Sequence, residues 1–178
     1  ADLTQSLAFA VGTGLLSTVQ TQAASLPTRT FTYGYLPGTA LVDTLSAGSG
    51  GSLYELDWGY EADNKRDLVA SLEARYGASA VTRYDYTYNN ARQRVSSKQS
   101  GSAFADYGDA TFWRYYYNIR GELEDAVGYL GGNVESLAAS LPGRHFQYRY
   151  DTLGNRKSMN QTGSLNVPEE QDLITTLV

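Results

Sequence analysis

The chain contains no cysteine, so neither a disulfide framework nor a thiolate metal site is available to it. It has a single histidine, His145, which removes His-rich zinc sites and argues against imidazole-driven acid–base chemistry. Basic residues are in the minority, 14 against 19 carboxylates, and no cluster of them forms a stripe that would track a phosphate backbone. Nucleic acid is therefore not expected as a partner. Apolar runs are short of the ~18 residues that mark a membrane-spanning helix. The stretch Leu7 to Leu16 is mildly apolar but lacks the basic flank of a signal peptide. No nucleophile–base pair, phosphate loop or metal cluster is visible, so the expectation is a non-catalytic chain with no cofactor and no metal.

What is abundant is tyrosine: 15 residues, against 5 Phe and 2 Trp, in a chain of 178. That length suits one domain of ordinary size, burying about two-thirds of its unfolded surface. Arginine outnumbers lysine eleven to three, which favours stacking and bidentate contacts over simple solubilising charge.

The tyrosines carry a repeat. Phe31, Tyr33 and Tyr35 alternate with small or polar residues, as do Tyr54, Leu56, Trp58 and Tyr60, then Tyr84, Tyr86 and Tyr88, then Trp113, Tyr115 and Tyr117, and finally Phe146, Tyr148 and Tyr150. Period two is the pattern of a strand with one buried face, and aromatic side chains favour strands. The last tyrosines, Tyr35, Tyr60, Tyr88, Tyr117 and Tyr150, recur at intervals of 25, 28, 29 and 33 residues. Each is followed by turn residues, such as Leu-Pro-Gly-Thr after Tyr35 and Asp-Thr-Leu-Gly-Asn after Tyr150. Six residues beyond the tyrosine stands Arg66, Arg94 or Arg156, or Leu41 and Leu123 in the other two blocks. Each unit therefore reads as a β-hairpin, and the chain as an all-β array of about five to six antiparallel hairpins forming a twisted repeat sheet or strip.

The array is expected over 31–164. Residues 1–30 read as an eroded hairpin or arm with Phe9 in the aromatic place. Residues 165–178 read as a tail whose apolar, β-prone end, including Leu173, Ile174, Leu177 and Val178, is a candidate donor strand. Gly48 to Ser52 is a flexible linker. Val134 to Leu141 is expected as a short helix, and Ser71 to Tyr76 fits helix or strand equally.

Tyr150-Asp151-Thr152-Leu153-Gly154-Asn155-Arg156 resembles the tyrosine–aspartate signature of the RHS/YD-repeat family. Tyr88-Asn89-Asn90-Ala91-Arg92-Gln93-Arg94 and Tyr117-Asn118-Ile119-Arg120-Gly121-Glu122-Leu123 are similar, with Asn in place of Asp; the blocks at Tyr60 and Tyr35 depart further. The resemblance implies an architecture: bacterial and cell-surface proteins whose hairpin strips coil into shells. One copy of this length does not close such a shell, so several copies or a longer parent would be needed.

The aromatic blocks are expected to be the hairpins' buried face, with cross-strand aromatic pairs. The arginines are expected to stack on a neighbouring repeat's tyrosine and to pair with carboxylates. Tyr116 is out of phase with Tyr115 and Tyr117, so it should face the other way and is a candidate ligand or subunit contact. His145 reads as a surface residue. Of Glu122, Glu124 and Asp125, only Glu122 and Glu124 are expected to share a face of the strand. Two functions from different classes follow. The first is a non-catalytic structural repeat protein, extracellular, that forms a wall, shell segment or filament by strand-edge pairing and so self-associates. The second is a cell-surface module recognising a glycan or a partner protein through Tyr116 and the linkers.

Overall fold

The alternating aromatics do become strands, and the turn residues close them into hairpins. A computed structural model describes residues 3–23, 26–48, 53–62, 67–108, 110–162 and 173–176. The strands are β1 (Leu3–Phe9), β2 (Leu16–Ala23), β3 (Arg29–Tyr35), β4 (Val42–Ala47), β5 (Tyr54–Tyr60), β6 (Val69–Tyr76), β7 (Ser79–Tyr88), β8 (Arg94–Ser100), β9 (Ala110–Tyr117), β10 (Leu123–Leu130), β11 (Ser140–Tyr150), β12 (Arg156–Thr162) and β13 (Leu173–Thr176). Every strand neighbours the next one in sequence, and the described strand pairs are antiparallel. The fold is all-β, and its only helical element among the described residues is a 3-10 turn at Ser102–Tyr107. Contacts divide the chain into two compact units, Ala1–Arg83 and Tyr84–Val178.

One irregularity recurs in both units. Tyr35 pairs with Val42 while Gly34 pairs with Thr44, so Asp43 is an extra residue in the return strand. The same bulge places Ala70 opposite the Gly59/Tyr60 step, Glu124 opposite Tyr116/Tyr117 and Lys157 opposite Arg149/Tyr150. It is present even at Phe9, which pairs with Leu16 while Ala8 pairs with Thr18. A bulge bends the strand and increases its local twist, re-aiming the side chain beside it. Gly34 and Gly59 stand next to the bulge because a Cβ at either would collide with the Thr44 or Ser71 hydroxyl.

The bulge corrects the expected register. Val42 and Val69, not Leu41 and Arg66, take the strand-opening position opposite Tyr35 and Tyr60, because the return strand opens seven and nine residues beyond those tyrosines and not six. Arg66 lies outside the described residues, as do Leu177 and Val178. Glu122 belongs to the turn and Glu124 to the bulge, so the two do not form a regular same-face pair. Ser71 to Tyr76 is strand, within β6. Val134 to Leu141 is not helical: the stretch is turn and bend up to the start of β11, and the Leu130 N–H donates to the Ala139 carbonyl at 2.8 Å. A segment of about two helical turns has little stability of its own, and the hairpin closure takes precedence. Gly131 closes the same excursion, donating to the Ala110 carbonyl at 2.9 Å. In the tail, Leu173–Thr176 pairs with β12 of the same chain, from Gln161↔Leu173 to Ser158↔Thr176.

The large side chains that are fully buried are not those of the aromatic blocks. The aromatic blocks are half-buried for the most part, and no described residue of the first unit is buried. In the second unit the large buried side chains are Phe112, at 0 % exposure, and Tyr129. They pair across β9 and β10 with ring centroids 5.1 Å apart. Phe112 is out of phase with Trp113, Tyr115 and Tyr117, so this core lies on the face opposite the aromatic block. The 3-10 turn packs on β8 and β9 and sets Phe104 edge-on to Tyr84 at 6.0 Å.

Candidate functional site

The last tyrosine of a hairpin has a specific destination. The Tyr35 hydroxyl donates to the Leu16 carbonyl at 2.8 Å, and Tyr60 donates to Val42 at 2.7 Å. Tyr117 donates to Arg94 at 2.8 Å, and Tyr150 to Leu123 at 2.9 Å. Each acceptor is the first residue of the preceding hairpin's return strand. The bulge aims the ring, and the ring bolts one hairpin to the one before it. Tyr88 closes β7 at the equivalent place. Burial raises the pKa values of Tyr60, Tyr117 and Tyr150 above the ordinary phenol range; Asp43 adds to the effect at Tyr60 and Glu122 at Tyr150.

The turns behind Tyr88, Tyr117 and Tyr150 are also built to one plan. Asp151 accepts from the N–H groups of Leu153 and Asn155 at 2.8 and 2.9 Å, and the Asn155 amide donates back to it at 3.0 Å. Those bonds, the Asn155 side chain first, lower the Asp151 pKa. Asn118 accepts from Arg120 and Glu122, and Asn89 from Gln93, so Asn substitutes for Asp as a side chain that bonds its own turn. The penultimate turn residue is left-handed in each: Gly154 at φ 89°, Gly121 at φ 82° and Arg92 at φ 64°. Arg120 joins successive turns, donating to the Asp151 and Thr152 carbonyls at 2.8 and 3.1 Å.

The strand-opening arginines stack on their own hairpin and not on a neighbour's. The Arg94 guanidinium lies 3.9 Å from the Tyr86 ring centroid and Arg156 lies 5.8 Å from Tyr148. Paired charge is concentrated elsewhere, at Arg75 with Asp57 (2.8 Å) and Glu73 (2.9 Å), and at Arg83 with Glu73 (2.8 Å). These pairs are two-fifths exposed on the cation side, and each adds little to stability.

Tyr116 does face away from the aromatic block, at 40 % exposure, directly opposite Asp125. On that face Asp125 meets His145: Oδ1 lies 2.8 Å from Nε2. The other imidazole nitrogen, Nδ1, lies 2.9 Å from the Thr162 hydroxyl. His145 pairs with Thr162 across β11 and β12, and with Val127 across β10 and β11. A groove of about 510 Å³ adjoins them, lined by Val127, Tyr129, Leu137, Leu141, His145 and Thr162. Far from being an isolated surface residue, His145 is the centre of a three-strand hydrogen-bond row. Sequence reading could not find the row, since its members are 20 and 17 residues apart.

A second groove, of about 630 Å³, belongs to the first unit. Tyr54 and Tyr76 stand opposite each other across β5 and β6, 43 % and 53 % exposed, and border it together with Phe31 and Arg29. Among the described residues no cluster of three or more His, Cys, Asp or Glu side chains is placed to hold a metal ion. No helix of the described residues is long and apolar enough to cross a membrane.

No family model and no curated protein matches the chain. Among solved structures, TcdB2-TccC3-TEV is similar over 99 % of this chain at 11 % identity and a TM-score of 0.26. TcdB2-TccC3 is similar over 98 % at 12 % identity and a TM-score of 0.27. The chain spans 13 % of the length of each. Likeness at this level leaves the reading of the chain to rest on the geometry of its own repeat.

Proposed function

We propose that the chain is an RHS/YD-repeat hairpin strip whose work is mechanical: it forms part of an extracellular wall, shell segment or polymer by adding hairpins edge to edge. The observation that supports this reading is the tyrosine ladder. A hydroxyl bonded to the preceding hairpin's first return-strand carbonyl, beside the same bulge, is a joint that depends on backbone and on one side chain. Such a joint can be repeated with any sequence between tyrosines. Leu173–Thr176 supports edge pairing as well, since it adds to β12 by backbone register.

Negative-stain microscopy and light scattering of the purified chain, with and without residues 165–178, test the reading. Removing the tail uncovers the β12 edge, so the shortened chain should assemble at lower concentration than the intact one. Two compact, strictly monomeric species at high concentration would overturn it.

A second reading, a glycan-binding module, is favoured by the first unit's groove. Tyr54 and Tyr76 offer two neighbouring exposed rings, and Arg29 offers a planar donor beside them. Glycan-array binding lost in Tyr54→Ala and Tyr76→Ala but kept in Tyr116→Ala would favour this groove. Loss in Tyr116→Ala alone would favour the opposite face of the second unit.

A further inference from the structure

The row Asp125–His145–Thr162 has the donor–acceptor order of an activated hydroxyl. A carboxylate at neutral pH can only accept, so the 2.8 Å contact to Asp125 places the imidazole proton on Nε2. In the neutral imidazole Nδ1 then carries a lone pair, and the 2.9 Å contact to Thr162 Oγ1 is a hydroxyl donating into it. A hydroxyl bonded to a base that is itself oriented by a carboxylate is the arrangement that makes an alcohol nucleophilic, whichever ring nitrogen faces which partner. The three side chains are held by three paired strands and not by loops, which fixes their spacing. His145 and Asp125 remain 35 % and 28 % exposed, so the row is open to a small molecule. The adjoining groove gives it an apolar wall of Val127, Tyr129, Leu137 and Leu141.

We propose that Thr162 is a nucleophile toward esters of small apolar acids, an activity beyond the mechanical role. Thr162 Oγ1 attacks the ester carbonyl carbon as its proton passes to His145 Nδ1, and Asp125 stabilises the imidazolium through Nε2–H. The tetrahedral intermediate collapses with cleavage of the bond to the leaving alcohol, which takes the proton from Nδ1 and departs. The acyl group is left on Thr162 with its chain along the apolar wall. Water, deprotonated by the same imidazole, attacks the acyl carbonyl and releases the acid, and Thr162 recovers its proton.

The test is incubation of the intact chain with p-nitrophenyl butyrate, following p-nitrophenolate release and mapping the acylated peptide by mass spectrometry. The expected result is a burst approaching one p-nitrophenolate per chain, with the butyryl group on Thr162. Thr162→Ser should keep the burst and Thr162→Val should abolish it. His145→Gln should slow it by about 10²-fold, the usual worth of a positioned base. Thermal unfolding of each variant separates this role from a purely structural one. If the row serves only to tie strands together, Thr162→Val and His145→Gln shift the melting temperature and the parent acquires no adduct at Thr162. That result, or an adduct forming at the same rate in His145→Gln, overturns the proposal.

Discussion

Within each unit the hairpins are joined by the same device, but the units differ in what lies on the face opposite their aromatic blocks. In the first unit that face carries Thr32, Thr44, Ser46, Asp57, Glu73 and Arg75, and none of its described residues is buried. In the second, two excursions, the 3-10 turn after β8 and the loop after β10, accompany a face where Phe112 and Tyr129 are buried. The tyrosine ladder is present in both. Hairpin cohesion in this repeat therefore does not need a core. The core, Phe112 against Tyr129 across β9 and β10, is an addition peculiar to the second unit.

The most damaging way to probe the contrast is Phe112→Ala. Emptying a fully buried aromatic site costs about 3–5 kcal/mol, and amide exchange should show lost protection in β9 and β10. The strands β3 to β6 should be unaffected; if they lose protection equally, the units unfold as one and the contrast has no energetic meaning. Removing a ladder hydroxyl should be milder and should ignore the contrast. Tyr60→Phe and Tyr117→Phe each strip one bond from a carbonyl, a loss of about 1 kcal/mol, and thermal melts should show similar shifts for both. A large effect at Tyr117 alone would mean that the ladder depends on the core.

The same hydroxyls predict an alkaline limit. The folded-state pKa values of Tyr60, Tyr117 and Tyr150 are raised, so the stability they contribute is complete below the unfolded value of about 10 and is lost as pH rises through the higher folded values. Both units should loosen above about pH 10. In the Phe variants the pH dependence of unfolding should be flatter.

The smallest expected effect lies in the turns, where Asp67 (φ 58°) and Arg92 (φ 64°) hold a left-handed conformation without being glycine. Replacing either by Gly relieves about 1 kcal/mol of strain and restores about 0.5–1 kcal/mol of unfolded-chain entropy cost. The net gain in a melt should be a few tenths of a kcal/mol at most, alike in both units.

The hairpins were legible because their signals are local: alternating aromatics, then a side chain that bonds its own turn. Asp151 and Asn118 both announce their turns within five residues. The register was less legible, because the turns after Tyr35 and Tyr60 are longer and the return strand opens at Val42 and Val69. The core was hidden because Phe112 interrupts the alternation it sits in, and its partner Tyr129 comes from the next strand. The Asp125–His145–Thr162 row was hidden for the related reason that three separate strands supply it, and only the pairing of β10, β11 and β12 aligns them.

The direction of the tyrosine bonds gives the strip a grammar. Each hydroxyl reaches back to a carbonyl already placed by the hairpin before it, and none of the four bonds reaches forward. Phe9, at the equivalent place in the first hairpin, carries no hydroxyl to offer, while Leu16 on the same hairpin is ready to receive Tyr35. During synthesis, where N-terminal parts fold first, each new hairpin would thus find its docking carbonyl waiting, and the strip would be laid down like courses of brick, each seated on the last.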